Sequence, residues 1–217
     1  MSCSEILDPD HSPKHVEFEN YAGLHPEGRN LIFDWFQRAW TERNCSEEDS
    51  FGPFIFVWFA FNGWAPCVTD KDSDRDIIDA LAADPQINSD FADAVDKADS
   101  NVALSIKRFA SFLPIFDVRS LRRSGILQLE SADRSLVVEH YFDQGADRFE
   151  PRCAKQDRNL GEEIPLDWAH MINGIYKVRC NLFHGLKAAH SEMDRRIVSA
   201  AFLALVHFLS ETGYLVV

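Results

Sequence analysis

Over most of this chain apolar residues recur at steps of three and four, the period of helices that bury one face. Between Glu27 and Arg43, the residues Leu31, Ile32, Trp35, Phe36, Ala39 and Trp40 fall on one side of that period with charges opposite, which predicts a first amphipathic helix. The next run, Phe51 to Trp64, is apolar on every side, the pattern of a helix surrounded by others, and it places Trp58, Phe61 and Trp64 in the core together with Trp35. Ser73 to Ala83 and Pro85 to Phe112 carry Ile77, Ile78, Leu81, Phe91, Val95, Leu104, Ile106, Phe109 and Phe112 at helical spacing, enough for two or three further helices. Asp167 is then a candidate N-cap, Met171, Ile175, Val178 and Leu182 form a stripe, and Gly185 sits where a glycine beyond the C-cap would end the helix. Ser191, with Asp194 three residues on, opens a last helix through Ile197, Ala201, Leu205 and Phe208.

Two stretches lack this period. Residues 1–25, with Pro9 and Pro13, read as an extended or partly disordered N-terminal arm, so that 26–217 forms a single helical domain. Near residues 125–165 the segments Ile126 to Glu130 and Leu136 to Phe142 read as short strands among Asp, Ser and Gly turns. The expected fold is therefore all-α, a helical bundle with a short irregular or β-hairpin excursion.

Composition narrows the setting. A chain of 217 residues with 46% hydrophobic content supports one large core. Its first residues, Met1 to Glu5, lack a basic start leading into an apolar stretch, and the Phe54 to Phe61 run falls short of the roughly 18 to 20 residues that cross a bilayer. A cytoplasmic protein with no membrane partner is the expectation. The cysteines (Cys3, Cys45, Cys67, Cys153, Cys180) are odd in number and form no Cys-x-x-Cys pair, while His11/His15 and His184/His190 offer two ligands each, so neither a metal nor a cofactor is expected. The net charge of -13 opposes nucleic acid only until it is mapped. Residues 1–100 hold 21 acids against 7 bases, and the remainder 14 against 15, so the acidity lies away from the C-terminal half.

On the helix that begins at Asp167, the residues His170, Asn173, Lys177, Asn181 and His184 lie at steps of three and four and share one face. A solvated face near a helix C-terminus, where Lys and His suit the dipole, has the same composition. Within that helix, Arg179 is followed after four residues by His184, in the phrase Tyr176-Lys177-Val178-Arg179-Cys180-Asn181-Leu182-Phe183-His184-Gly185-Leu186-Lys187. This phrase resembles the Arg, four to six residues, His signature of the HEPN superfamily, and Trp58 to Trp64 is similar to the earlier core helix of such proteins. The resemblance spans roughly residues 27–122 and 166–210. One position departs from it: Cys180 directly follows Arg179, where catalytic members carry a polar residue, and Asn181 comes one place later.

The resemblance implies a metal-independent endoribonuclease acting as a homodimer in toxin or phage-defence biology, with Arg179 and His184 catalytic and Tyr176, Lys177, Asn173, His170 and Asn181 in support. It further implies RNA or a nucleotide as ligand and allows a cognate inhibitor protein as partner. The chemistry suits the pair, because cleavage by an adjacent 2′-hydroxyl needs a proton carrier and a fixed cation beside the developing phosphorane charge. Five residues apart on a regular helix, however, the two side chains point about 140° apart. Either the helix loosens before Gly185 or two copies meet across a two-fold axis, the arrangement known HEPN nucleases resemble. Lys187, Arg119, Arg122 and Arg123 are candidate substrate contacts; the last three belong to a basic stretch with Lys107 and Arg108 that is interleaved with Phe109, Phe112 and Phe116. Two readings compete with the nuclease. One is a non-catalytic HEPN module that binds nucleotide, RNA or a partner, and the other is a helical interaction protein whose Arg179 bridges to an acid such as Asp194.

Overall fold

The computed structural model describes residues 24–97, 100–118, 149–152, 164–185 and 191–215. Its helices are α1 (Pro26–Thr41), α2 (Phe51–Thr69), α3 (Asp74–Ala83), α4 (Pro85–Asp96), α5 (Asn101–Ala110), α6 (Trp168–Phe183) and α7 (Glu192–Glu211). The fold is predominantly helical, as the periodicity predicts. The expected arm, both segments expected as strands, and Arg119, Arg122, Arg123 and Lys187 lie outside the described residues.

Local chemistry sets the helix ends. Ser73, Asp84, Ser100, Asp167 and Ser191 each accept a hydrogen bond from a backbone N–H in the first turn of the following helix, which satisfies a donor the helix cannot. Asp84 also closes α3, so α3 and α4 join at a single residue. At the other end of α6, His184 is the C-cap and Gly185 has φ 65°, a left-handed conformation that glycine adopts without steric cost.

The helices bury one continuous core from Ile32 to Leu215. α1 lies antiparallel to α2, with Trp35 against Phe56 and Phe59, and Ile32 against Gly63. A Cβ on Gly63 would stand 2.5 Å from Ile32 Cγ1, so the missing side chain is what lets these helices approach so closely. α7 packs on α5 and α2, and α6 on α3 and α4. Trp168 joins the two groups: its ring stacks on Phe208 of α7 at 4.6 Å and meets Phe91 of α4 at 5.9 Å, while its Nε1 donates to the Leu81 carbonyl of α3 at 2.9 Å.

Trp58, Phe61 and Trp64 are fully buried, as expected. Trp35 departs from the expectation: it is only partly buried and packs against the core from outside. α2 departs as well. It reaches 19 residues and, among the described residues, is the one helix long and apolar enough to cross a membrane by length and composition. It is not enclosed on every side, because Phe59 is 39% exposed. Part of its all-round apolar character is therefore surface, not core.

The described sheet is a short antiparallel pair, β1 (Ile115–Phe116) with β2 (Phe149–Glu150), in which Ile115 faces Glu150 and Phe116 faces Phe149. These strands flank the stretch where the sequence pattern places a hairpin. Alternation alone did not mark them, since each is only two residues long. They matter because both pack against α6.

Candidate functional site

The C-terminal half of α6 carries the Arg179 to His184 motif, and its neighbours decide what each residue can do. Arg179 is a little exposed and ties α6 to the first turn of α3 through Nη1 and Asp74 Oδ2, 3.0 Å apart. Its guanidinium carbon lies 5.6 Å from the centre of the Trp58 ring and 4.8 Å from that of Phe183, within cation–π reach of both. Nε is buried and finds no partner among the described residues. The acid that meets Arg179 is thus Asp74, not Asp194. An alternation within one helix cannot reveal a carboxylate a hundred residues upstream.

Tyr176 leans on Trp58, ring centres 6.2 Å apart, one turn before Cys180. Burial, then the Cys180 thiol and its hydrogen bond, and then Asp74 push the phenol up to about 12, against the opposing pull of Arg179. Tyr176 therefore stays protonated near neutral pH. His184, by contrast, is exposed at the cap, where its backbone N–H donates to the Cys180 carbonyl at 3.2 Å. Among the described residues no hydrogen bond or ion pair joins the Arg179 and His184 side chains.

The predicted shared polar face separates into parts. Asn181 is buried at 2% exposure: its Nδ2 donates to the Phe116 carbonyl at 2.8 Å, and its Oδ1 accepts from the Val118 N–H at 3.2 Å. It pins the chain leaving β1 onto α6, so it is buried although the spacing places it opposite the apolar stripe. Lys177 Nζ lies 3.7 Å from Asp117 Oδ2 in the same segment. Asn173 donates to the Ala169 carbonyl within its own helix at 2.8 Å, and its buried Oδ1 has no partner among the described residues. His170 Nδ1 lies 2.5 Å from Asp167 Oδ1 at the opposite end of α6, about 21 Å of helix away from His184 at 1.5 Å per residue. That pairing holds Asp167 ionised: burial opposes it, but the His170 hydrogen bonds and charge outweigh burial and lower its pKa. β1 and the residues just after it pack over the part of α6 that carries Lys177 and Asn181.

What remains at the motif is Arg179, Tyr176, Cys180, Phe183 and His184, framed by Asp74 of α3 and by Trp58 and Phe59 of α2. The exposed Phe183 meets the exposed Phe59 edge-on at 6.4 Å, and Phe59 meets Trp35 at 5.1 Å. Leu31, one turn before Trp35, is 58% exposed. An apolar strip therefore runs from α1 across α2 to the motif, although the sequence pattern places Trp35 in the core. Among the described residues no group of three or more His, Cys, Asp or Glu side chains is arranged to hold a metal ion. No family model, curated protein or solved structure matches the chain.

Proposed function

We propose that this chain is a HEPN-type endoribonuclease that works as a homodimer, with Arg179 and His184 at the reacting phosphate. The observation that carries the reading is the exposed strip ending at the motif. His184 stands in solvent beside Phe183, and Phe183, Phe59, Trp35 and Leu31 form an apolar surface in which, among the described residues, Phe183, Phe59 and Leu31 stay exposed and Trp35 partly so. A second copy related by a two-fold axis and seated on that strip brings two motifs together, which answers the angular separation of Arg179 and His184. In such a site the 2′-oxygen forms a bond to phosphorus and the bond from phosphorus to the 5′-oxygen breaks. A neutral His184 takes the 2′-hydroxyl proton, a protonated His184 from the second copy gives one to the leaving oxygen, and Arg179 stabilises the equatorial charge. The products are a 2′,3′-cyclic phosphate and a 5′-hydroxyl.

The test compares wild type with His184→Ala in the presence of a chelator, on an oligoribonucleotide with one 2′-deoxy substitution at the cleaved position. The reading requires cleavage by wild type alone and none at the deoxy position. RNA that binds tightly without being cut by either protein would instead make the chain a non-catalytic module. A second reading rests on the Arg179–Asp74 ion pair, which suits an arginine that locks two helices. In that case Arg179→Ala lowers stability and activity in proportion, whereas a catalytic Arg179 loses turnover in the still-folded fraction.

A further inference from the structure

A cavity of about 450 Å³ opens away from the α6 motif, between the C-terminal end of α1, α5 and α7. Its size falls within the range of about 300 to 1,000 Å³ typical of small-molecule sites. Arg43, just past α1, lines it. The guanidinium is held in place by donating to the Trp40 carbonyl at 2.8 Å and by lying 4.2 Å from the centre of the Trp40 ring, and it meets no carboxylate among the described residues. Arg108, also in the wall, differs in that its charge is already taken by Glu47. Among the described residues the cavity thus holds one fixed cation, Arg43, whose charge no acid neutralises. Asn101, the first residue of α5, lies in the same wall, so the positive end of that helix adds to the field.

Beside this positive edge is a polar relay. Ser105 Oγ donates to the Asn101 carbonyl at 2.6 Å, and His207 Nδ1 lies 2.7 Å from the same Oγ. Because a carbonyl only accepts, the single hydroxyl proton points to Asn101, and Nδ1 must donate to Ser105. Nε2 of the neutral ring is left as an acceptor. Burial first, and then the Arg43 charge, hold His207 below the ordinary histidine range, which keeps that acceptor available at neutral pH. Leu104, 57% exposed, and Leu203 supply apolar walls.

We propose that this cavity binds a phosphate monoester of mononucleotide size, with the phosphate on Arg43 and the α5 N-terminus, the body between Leu104 and Leu203, and a ligand hydroxyl or amino group donating to His207. Neither the cation nor the relay belongs to the Arg179 to His184 motif, so the inference stands apart from the nuclease reading.

The experiment is calorimetric titration of the full chain with adenosine 5′-monophosphate, adenosine and inorganic phosphate in turn, followed by histidine ring resonances in labelled protein. The monophosphate should bind at least tenfold more tightly than either fragment and should move the His207 resonance. Arg43→Gln should weaken it by tenfold or more. Leu104→Glu replaces an exposed residue, so the fold survives, and it should weaken the monophosphate more than it weakens adenosine. No binding of the monophosphate, binding matched by phosphate alone, or binding indifferent to both variants would each overturn the proposal. His184→Ala should leave the affinity unchanged, and a loss there would assign the nucleotide to the α6 motif.

Discussion

Arg179 and Asp74 meet at 3.0 Å across the junction of α6 and α3, beneath the Trp58 and Phe183 rings. The residue that carries the family resemblance is thereby also a structural tie, and its two roles can be separated by measurement. Arg179→Gln and Asp74→Asn should each destabilise the protein in urea. The double variant should show a coupling of about 1 kcal/mol, above the usual few tenths for solvated pairs, because Arg179 is largely shielded. A coupling indistinguishable from zero would reduce the contact to a surface pairing.

His184 is expected to contribute almost nothing to stability. Its side chain is exposed and makes no hydrogen bond among the described residues, so His184→Ala should leave the urea midpoint within about 0.5 kcal/mol of wild type. Gly185 provides the contrast one position later. No described residue lies within 4 Å of a Cβ placed there, so Gly185→Ala suffers the strain of φ 65°, a cost of about 1 kcal/mol. Equal effects at the two positions would contradict this division.

These two positions also mark what the sequence reveals. The caps Asp167 and Ser191, the glycine ending α6 and the buried stripes were legible because they are local: a period, a hydroxyl or carboxylate at an end, a residue that tolerates positive φ. Asn181 was misplaced because its burial comes from Phe116 and Val118, more than sixty residues earlier, in a segment too short to show alternation. The exposure of Phe59 and the partial exposure of Trp35 are not legible, because apolar residues facing solvent and apolar residues facing another helix give the same pattern. Ser105 and His207 are 102 positions apart, and no spacing rule connects them.

If the strip is a dimer face, a charge placed on it should separate subunits without unfolding them. Phe59 and Phe183 are 39% and 45% exposed, so Phe59→Glu and Phe183→Glu leave no large cavity. Light scattering at micromolar concentration should show wild type as a dimer and both variants as monomers of native helix content. A monomeric wild type would remove the strip from the proposed function.

Close helix contact predicts a graded response at two glycine positions. Gly63→Ala drives a methyl to 2.5 Å from Ile32 Cγ1, a β-branched side chain with little freedom to move. Gly174→Ala meets Leu113 Cδ2 at 2.7 Å, the far end of a flexible side chain, although Phe109 stands behind it at 3.2 Å. Both should destabilise within the 1 to 3 kcal/mol typical of overpacking, at roughly the upper end for Gly63. The reverse order in chemical denaturation would show that α1 yields more readily than the loop carrying Leu113.

His207 should make stability depend on pH in a definite direction. Burial, and after it the Arg43 charge, lower its folded pKa beneath the unfolded value of about 6.5. Between those two values the unfolded chain binds the proton more readily, so stability rises with pH. The contribution is complete above the unfolded pKa and is lost as pH falls through it toward the folded one, below which nothing further is lost. Among the described residues, Arg43 and Arg108 line the cavity and Glu47 pairs with Arg108, and all three persist in a His207→Gln variant. Carboxylates titrating elsewhere are likewise shared, so the comparison isolates the imidazole. Wild type should lose more melting temperature than the variant between about pH 7.5 and pH 5.5. Parallel melting curves for the two proteins across the interval would mean that the ring is not held neutral by its surroundings.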